Sequence, residues 1–287
     1  MNFDDAIKVY CENIAEFSRR SSISEAQRRV MVNELSTSLV EGSAHLGARE
    51  ICHLFKGMLP KSCYEDRAML CMTLGASPRY SADMRKSSLF GEQIAAGLHG
   101  KVSLVRNNYN ELAFARFSKI ITRPKEIFSS SFVSVCEDVY DNRSEFCILP
   151  VENSQSGRLF GFYSMIDRYE LKICAVCELE AEGESEGSVK YALVGRSLPD
   201  RVPKRSRWNF EFSVISEDGA AFFDIKRASE VFGARLVKID SLPVEYDGGS
   251  QKYYFTFDLP WANIAAFDLF LSEEYARYTS VGAYPTV

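Results

Sequence analysis

A run of polar residues follows an apolar stretch near the middle of the chain, and its side chains are of types that bind and activate small molecules. Residues 146–157 read F-C-I-L-P-V-E-N-S-Q-S-G. Glu152, Asn153 and Ser154 offer a carboxylate, an amide and a hydroxyl directly after the apolar part. A sheet delivers polar groups to a cleft in this way, because a rigid strand carries them and the following turn exposes them. If the chain is an enzyme, these three residues are its candidate catalytic residues.

The same residues also fit a purely structural role. The spacing of apolar residues predicts a helix over residues 159–168, shortly after the polar run. Asn153 or Ser154 would cap that helix, since asparagine and serine side chains accept hydrogen bonds from the free N–H groups at a helix start. The catalytic and the capping interpretations both stay open at this point.

The composition excludes several classes of protein. The 287 residues carry a formal net charge of −5, which argues against a nucleic-acid-binding surface. The chain contains no run of about 18 apolar residues, so no membrane span is expected. Its first residues do not combine a basic start with an apolar run, so no signal peptide is predicted. We therefore expect a cytoplasmic protein that binds neither nucleic acid nor membranes.

The cysteines and histidines do not form a metal-binding pattern. Eight cysteines in a cytoplasmic protein are expected to be reduced, buried thiols. Cys174 and Cys177 form the one C-x-x-C, but they lie on a predicted strand and would point to opposite faces. His45, His53 and His99 are scattered, without a cysteine pair to complete a site. We predict no metal and no organic cofactor.

The period of the apolar residues changes along the chain and divides it into four parts. Residues 1–98 are predicted to be helical, with Ser24 and Gln27 at the spacing of a capping box. In residues 99–197 strands alternate with helices, which indicates an α/β lobe with a largely parallel sheet. Residues 198–207 contain two prolines among charges and are predicted to be a linker.

Residues 208–287 are predicted to form a separate small domain. A strictly alternating strand over 208–215 is followed by a helix that ends at Gly233, then by two strands, a second helix and a last strand. This order, β-α-β-β-α-β, is that of the ferredoxin-like split motif. The predicted fold class is therefore α/β and α+β: a helical region, an α/β lobe and a ferredoxin-like domain.

The C-terminal part resembles the ACT domain, a ferredoxin-like module that binds amino acids, often across a dimer interface. The resemblance rests on two segments in the right order, Gly219-Ala220-Ala221-Phe222 at the first helix and Asp240-Ser241-Leu242-Pro243 after the second strand. It implies that these eight residues bind the ligand, since a helix N-terminus opened by glycine favours a carboxylate. It also implies a homodimer. Leu242 stands where the family pattern has an arginine.

The polar run itself resembles the P-I-E-N-S-x-x-G segment of prephenate dehydratases, which convert prephenate to phenylpyruvate. Three departures from that family are visible. The glycine-rich turn of the first lobe is replaced by residues 106–110, R-N-N-Y-N, and the threonine of a Thr-Arg-Phe motif by Val189 of Val189-Lys190-Tyr191. Only residues 155–188 separate Ser154 from Val189, where the family holds a second α/β lobe. The expected lobe is therefore a truncated one.

Three functions follow from these resemblances. The first is a degenerate, non-catalytic prephenate-dehydratase-like protein that senses an aromatic amino acid, phenylalanine, or acts as a regulatory or assembly protein in aromatic amino-acid metabolism. The second is an active, divergent prephenate dehydratase that combines decarboxylation with dehydration, in which Glu152, Asn153 and Ser154 would be catalytic. The third is a partner-binding protein without a small ligand.

Overall fold

The computed structural model describes residues 3–19, 24–42, 46–58, 64–81, 100–155, 157–180, 187–199, 201, 205–216, 221–244 and 250–287. These residues form two compact units, each built from two stretches of chain. The first unit holds Met1–Ser88 and Phe212–Thr279, and the second holds Leu89–Glu211 and Ser280–Val287. The predicted helical region and most of the predicted C-terminal domain thus share one unit. The four boundaries drawn from the sequence stay predictions.

Helices and strands are numbered here in chain order. The helices are α1 (Phe3–Arg19), α2 (Glu25–Gly42), α3 (Ala48–Met58), α4 (Tyr64–Ala76), α5 (Asn108–Phe117), α6 (Phe132–Tyr140), α7 (Phe160–Arg168), α8 (Ala221–Val231) and α9 (Ile264–Glu274). The strands are β1 (Lys101–Val105), β2 (Lys125–Ser129), β3 (Phe146–Asn153), β4 (Gly157–Arg158), β5 (Lys172–Glu180), β6 (Ser188–Gly195), β7 (Arg207–Ser216), β8 (Arg235–Pro243), β9 (Gln251–Pro260) and β10 (Tyr278–Tyr284). None of the helices among the described residues is long and apolar enough to cross a membrane.

The start of α2 shows the capping box predicted from Ser24 and Gln27. The Gln27 N–H donates to Ser24 Oγ at 3.3 Å, and the Ser24 N–H donates to Gln27 Oε1 at 3.1 Å. Each side chain thus satisfies a backbone N–H that the helix leaves free. Residues 82–98 of the predicted helical region lie outside the described residues.

In the first unit, α4 packs against α8 and α9. The crossing of α4 and α9 is tight, because a Cβ atom placed on Gly75 would lie 2.7 Å from the Cβ of Ala266. Nearby, the Tyr64 ring meets Phe270 edge-on, with 4.9 Å between ring centroids. Glycine at position 75 is therefore what lets the two helix backbones approach.

The C-terminal elements follow the predicted order β7-α8-β8-β9-α9-β10 along the chain. Within the first unit the strands lie in the order β7-β9-β8, and β8 pairs antiparallel with β9. Stacked rings of Phe212, Phe255 and Phe257 line this sheet, and Phe267 of α9 meets Phe212 edge-on. Gly233 ends α8 with φ +64, the left-handed conformation expected there. Of the residues between β8 and β9, the structure describes Val244 and Ser250.

The second unit has a mixed sheet with the strand order β2-β1-β3-β6-β5-β10. Strands β1, β2 and β3 are parallel, but β6 runs antiparallel to both β3 and β5. Since β10 is parallel to β5, five of these six strands share one direction, so the sheet is largely parallel as predicted and β6 is the antiparallel exception. A parallel crossover needs a dozen or more residues, and the short connection over residues 181–187 between β5 and β6 provides too few.

Helices cover both faces of the three parallel strands. Ala113 and Phe117 of α5 share a core with Val102 and Leu104 of β1. Ser103, which points to the other face, donates a hydrogen bond to Asp138 of α6 at 2.6 Å. Two strands were not predicted. Strand β2, with the sequence K-E-I-F-S, escaped because its first two residues are charged and exposed, and β4 is only two residues long.

Candidate functional site

The Glu152-Asn153-Ser154 run lies at the end of β3, where the chain turns back on itself. Strand β3 extends to Asn153, so Glu152 and Asn153 are strand residues and not turn residues. Asn153 pairs with Gly157 of β4 on one side, and Gly157 has φ +78, which permits the sharp return. The run is thus fixed by a small hairpin.

Two of the three polar side chains bind nearby backbone. The Gln155 N–H donates to Asn153 Oδ1 at 2.9 Å, and the Ser188 N–H donates to Ser154 Oγ at 2.8 Å. Neither side chain caps α7, since Leu159 occupies the N-cap position without a side-chain hydrogen bond. The capping interpretation is therefore wrong. The same two side chains hold the hairpin and join it to β6.

The third side chain, Glu152, belongs to an ion pair with Lys190 of β6. Glu152 Oε2 lies 3.6 Å from Lys190 Nζ, and the two side chains are 20% and 41% exposed. The pair spans directly opposite positions of the antiparallel strands β3 and β6. A cross-strand pair of opposite charge stabilises a sheet modestly, and it also offsets the negative charge that a general base would use.

The next pair along the two strands joins Asn153 to Val189. Val189 is the residue that the resemblance aligned with a threonine, so this register brings the two motif positions together. Valine has neither donor nor acceptor in its side chain, so no hydroxyl faces Asn153 from this position. Two residues further on, burial raises the pKa of Tyr191 to about 12. That phenol stays protonated at neutral pH.

The loop after β1 reaches the same edge of the sheet, because β1 and β3 are parallel neighbours. Asn107 has φ −162 and accepts a hydrogen bond from the Asn110 N–H through Oδ1 at 2.9 Å, so it caps α5. The Asn110 side chain in turn donates to the Val105 carbonyl at 2.7 Å. The asparagines thus build a helix start where the family has a glycine-rich turn.

The residues predicted to bind an amino acid belong to the first unit. Gly219 and Ala220 fall outside the described residues, whereas Ala221 and Phe222 open α8 and are half-buried. The Phe222 ring stacks on Phe255 with 6.4 Å between ring centroids.

The other four predicted ligand residues, Asp240, Ser241, Leu242 and Pro243, end β8. Phe255 connects them to the start of α8, because its cross-strand partner in β8 is Ile239, directly before Asp240. Asp240 Oδ2 also lies 3.7 Å from Lys238 Nζ. Phe255 thus stacks on Phe222 of one segment and pairs with the residue directly before the other segment.

A buried polar cluster in the second unit was not anticipated. Glu211 of β7 is 0% exposed, and its carboxylate accepts hydrogen bonds from the phenols of Tyr163 in α7 and Tyr284 in β10. The Tyr284 bond measures 2.6 Å. The sequence signal is weak: Glu211 interrupts the apolar positions of W-N-F-E-F-S-V, which reads equally well as an outward-facing charge.

The cysteines of the C-x-x-C behave as core residues. Cys174 and Cys177 are both buried in β5, and burial raises the pKa of each thiol to about 12. A protonated thiol is a poor nucleophile and metal ligand. Among the described residues, no group of three or more His, Cys, Asp or Glu side chains is arranged to hold a metal ion.

Neither a protein-family model nor a curated protein matches the chain. Solved structures do match. The chain is similar to a prephenate dehydratase from Streptococcus mutans, with a TM-score of 0.52 and 18% identity over 65% of this chain and 98% of that one. It is equally similar to GqqA, a quorum quenching acylase, with a TM-score of 0.50 and 16% identity over 65% and 95% of the two chains.

A prephenate dehydratase from Arthrobacter aurescens in complex with L-Phe gives a TM-score of 0.48 and 14% identity over 64% of this chain and 89% of that one. At these identities the comparisons with the Streptococcus enzyme and GqqA concern the fold. The chain has a prephenate-dehydratase-like fold, with a helical N-terminal part and mixed α/β architecture.

Proposed function

We propose that this chain is a non-catalytic protein of prephenate-dehydratase-like fold that binds an aromatic amino acid, phenylalanine, and regulates or assembles with enzymes of aromatic amino-acid metabolism. The fold alone does not choose a chemistry, because a dehydratase and an acylase match it equally well. The choice depends on the side chains at the candidate site. The proposed setting is the cytoplasm.

The proposal that the protein is non-catalytic rests on the pairing of Asn153 with Val189. Departure of a hydroxyl group is assisted by a positioned proton donor, and valine has none. The neighbouring Asn153 and Ser154 side chains already accept hydrogen bonds from local backbone N–H groups. A substrate would have to compete with these bonds, at a cost of about 1 kcal/mol for each.

The ligand-binding part rests on the ACT-like segments. The start of α8 offers a helix N-terminus, which favours a carboxylate. Phe222 and Phe255 stack beside it, and an aromatic ligand gains from such surfaces. We propose that Gly219, Ala220, Ala221 and Phe222 bind the amino acid together with Asp240, Ser241, Leu242 and Pro243, and that the protein is a homodimer.

One observation favours the active enzyme as a second candidate. Glu152 and the loop that carries Asn107 lie at one edge of the parallel strands, the position where α/β sheets bind ligands. Lys190 beside Glu152 could hold a substrate carboxylate in place of the ion pair. In that case Glu152, Asn153 and Ser154 would orient prephenate.

The deciding experiment measures thermal unfolding with phenylalanine, tyrosine, tryptophan, prephenate, chorismate and phenylpyruvate in turn. A ligand at one hundred times its dissociation constant stabilises the native state by about 2.7 kcal/mol. We expect phenylalanine to raise the unfolding temperature and purified protein to form no phenylpyruvate from prephenate. Steady phenylpyruvate formation that Asn153→Ala abolishes would establish the enzyme instead. No shift with any compound would leave partner binding as the function.

A further inference from the structure

Two buried cysteines of the first unit lie in direct contact. Cys52 of α3 and Cys71 of α4 have their Sγ atoms 3.5 Å apart, and one thiol donates a hydrogen bond to the other. The residues are 5% and 3% exposed. A disulfide requires a sulfur–sulfur distance of about 2.05 Å, so the two sulfur atoms need to move only a short distance toward each other.

A pocket leads to this pair. Besides the two cysteines, it is lined by Arg67, Leu70, Phe270, Glu273 and Glu274. Arg67 is held in its wall by a forked ion pair with Glu274, at 2.6 and 2.9 Å. The pocket has room for about one water-sized molecule, which restricts access to the smallest polar oxidants.

The positions of the two cysteines give their linkage a structural consequence. Cys52 and Cys71 sit on consecutive helices, and α4 is the helix that packs on α8 and α9. A bond between them would close a loop over residues 52–71 and fix α3 to α4. Disulfides inside cells are commonly transient and report on redox conditions.

We propose that Cys52 and Cys71 form a dithiol site that a peroxide converts to a disulfide. One sulfur attacks the peroxide oxygen, which becomes part of a sulfenic acid as an alcohol or water leaves. The second sulfur then attacks the sulfenic sulfur and water leaves. Two S–H bonds and one O–O bond break, and one S–S bond and two O–H bonds form. The peroxide takes up the two electrons.

The rate of this oxidation is limited by the protonation state of the two thiols. The hydrogen bond to Cys52, together with burial, raises the pKa of Cys71 well above its ordinary value. Since the thiolate is the reactive form, oxidation requires sustained exposure to peroxide. We therefore expect the dithiol to be oxidised slowly.

The test is mass spectrometry of the full chain after treatment with hydrogen peroxide, alkylation of remaining thiols and tryptic digestion. Cleavage after Arg49, Lys56, Arg67 and Arg79 places Cys52, Cys63 and Cys71 in three separate peptides with one cysteine each. We expect the peptides over 50–56 and 68–79 to be joined, with the loss of two hydrogen atoms. The linked protein should unfold at a higher temperature than the reduced one, and dithiothreitol should reverse the shift.

The chain offers an internal comparison. Cys136 and Cys147 of the second unit are also hydrogen-bonded thiol neighbours, and both are 0% exposed. Cys71→Ser should remove the linked peptides, and Cys136→Ser should leave them unchanged. Wild-type protein that forms the 136–147 linkage first, joins Cys63 in place of Cys52 or Cys71, or forms no linkage while still folded would overturn the proposal. So would a linked protein that unfolds at the same or a lower temperature than the reduced one.

Discussion

At the residue scale, the side chains most suited to chemistry are also those that hold the local backbone. Ser154 accepts from the Ser188 N–H and Asn153 from the Gln155 N–H, so both contribute to the hairpin at the end of β3. The sequence predicted that these residues would lie together at the end of a strand. It could not predict their partners, because Ser188 is 34 residues away and reaches Ser154 only through the pairing of β3 with β6.

Glu211 illustrates a residue whose importance depends on its surroundings. Its buried carboxylate accepts from the phenols of Tyr163 and Tyr284. We expect Glu211→Gln to lower the free energy of unfolding by about 1–3 kcal/mol, because the amide NH₂ cannot accept the second phenol proton. Urea denaturation measures the change.

One further variant checks that interpretation of Glu211. Tyr284→Phe removes one hydrogen-bond donor. It should lower the free energy of unfolding by less than Glu211→Gln does, since the Tyr163 phenol still donates to the carboxylate. A Glu211→Gln protein as stable as wild type would show that the hydrogen bonds of the two phenols do not depend on the negative charge of the carboxylate.

Asp138 links stability to pH. Burial works against its charge, but hydrogen bonds from Ser103, Ser129 and Arg143 outweigh burial and lower the pKa of the Asp138 carboxyl. Because the folded pKa lies below the unfolded value of about 3.9, the stabilisation is complete above that value and is lost as the pH falls through the folded pKa.

We therefore expect Asp138→Asn to reduce stability at pH 7 and to weaken its acid dependence. Urea unfolding at steps from pH 7 to pH 3 measures both effects. Asp141→Asn is the matched control, because Asp141 is half-exposed and forms an ion pair with the same Arg143 at 2.8 Å. Equal acid dependence of wild type and Asp138→Asn would contradict the assignment.

At the scale of elements, the sequence predicted most helices and strands, since apolar spacing reflects which face is buried. It missed β2 and β4, and it did not show that β6 runs antiparallel to its neighbours. Direction in a sheet depends on which strands become neighbours, and β6 pairs with both β3 and β5. The crossing of α4 and α9 likewise depends on a contact between residues far apart in sequence.

A substitution at Gly75 tests the close packing of α4 against α9. An added Cβ would stand 2.7 Å from the Cβ of Ala266, so Gly75→Ala should destabilise the first unit by about 1–3 kcal/mol, less the gain in helix propensity of about 1 kcal/mol. Gly57 of α3 is the control, because a Cβ there meets nothing within 4 Å. Gly57→Ala should be neutral or stabilising in the same unfolding measurement. Equal effects of the two substitutions would show that α4 and α9 adjust freely.

At the scale of the whole molecule, the two compact units combine segments that are distant along the chain. Residues 1–88 share a unit with residues 212–279, although the sequence suggested a separate helical region and a separate C-terminal domain. Arg67 of α4 and Glu274 of α9 form a buried forked ion pair between these segments. The N-terminal helices are therefore part of the structure that surrounds the ferredoxin-like elements.

Deleting residues 1–88 tests this dependence. The deletion uncovers apolar residues of α9 that α4 covers, and it leaves Glu274 without Arg67. We expect the remaining fragment to aggregate or to bind the dye ANS, which reports exposed apolar surface. A monodisperse fragment that does not bind ANS and unfolds cooperatively would show that the C-terminal domain is independent, as the sequence suggested.

The sequence by itself determined the classes of element, their order and the motifs, because each of these depends on residues that are close along the chain. The capping box at Ser24, the stop at Gly233 and the strand before Glu152 are all of this kind. Only the tertiary structure decided that Val189 faces Asn153, that Glu211 is buried between two phenols and that Cys52 touches Cys71. Such contacts depend on which distant segments pack together, and that choice is made by burial over the whole unit and not by local spacing.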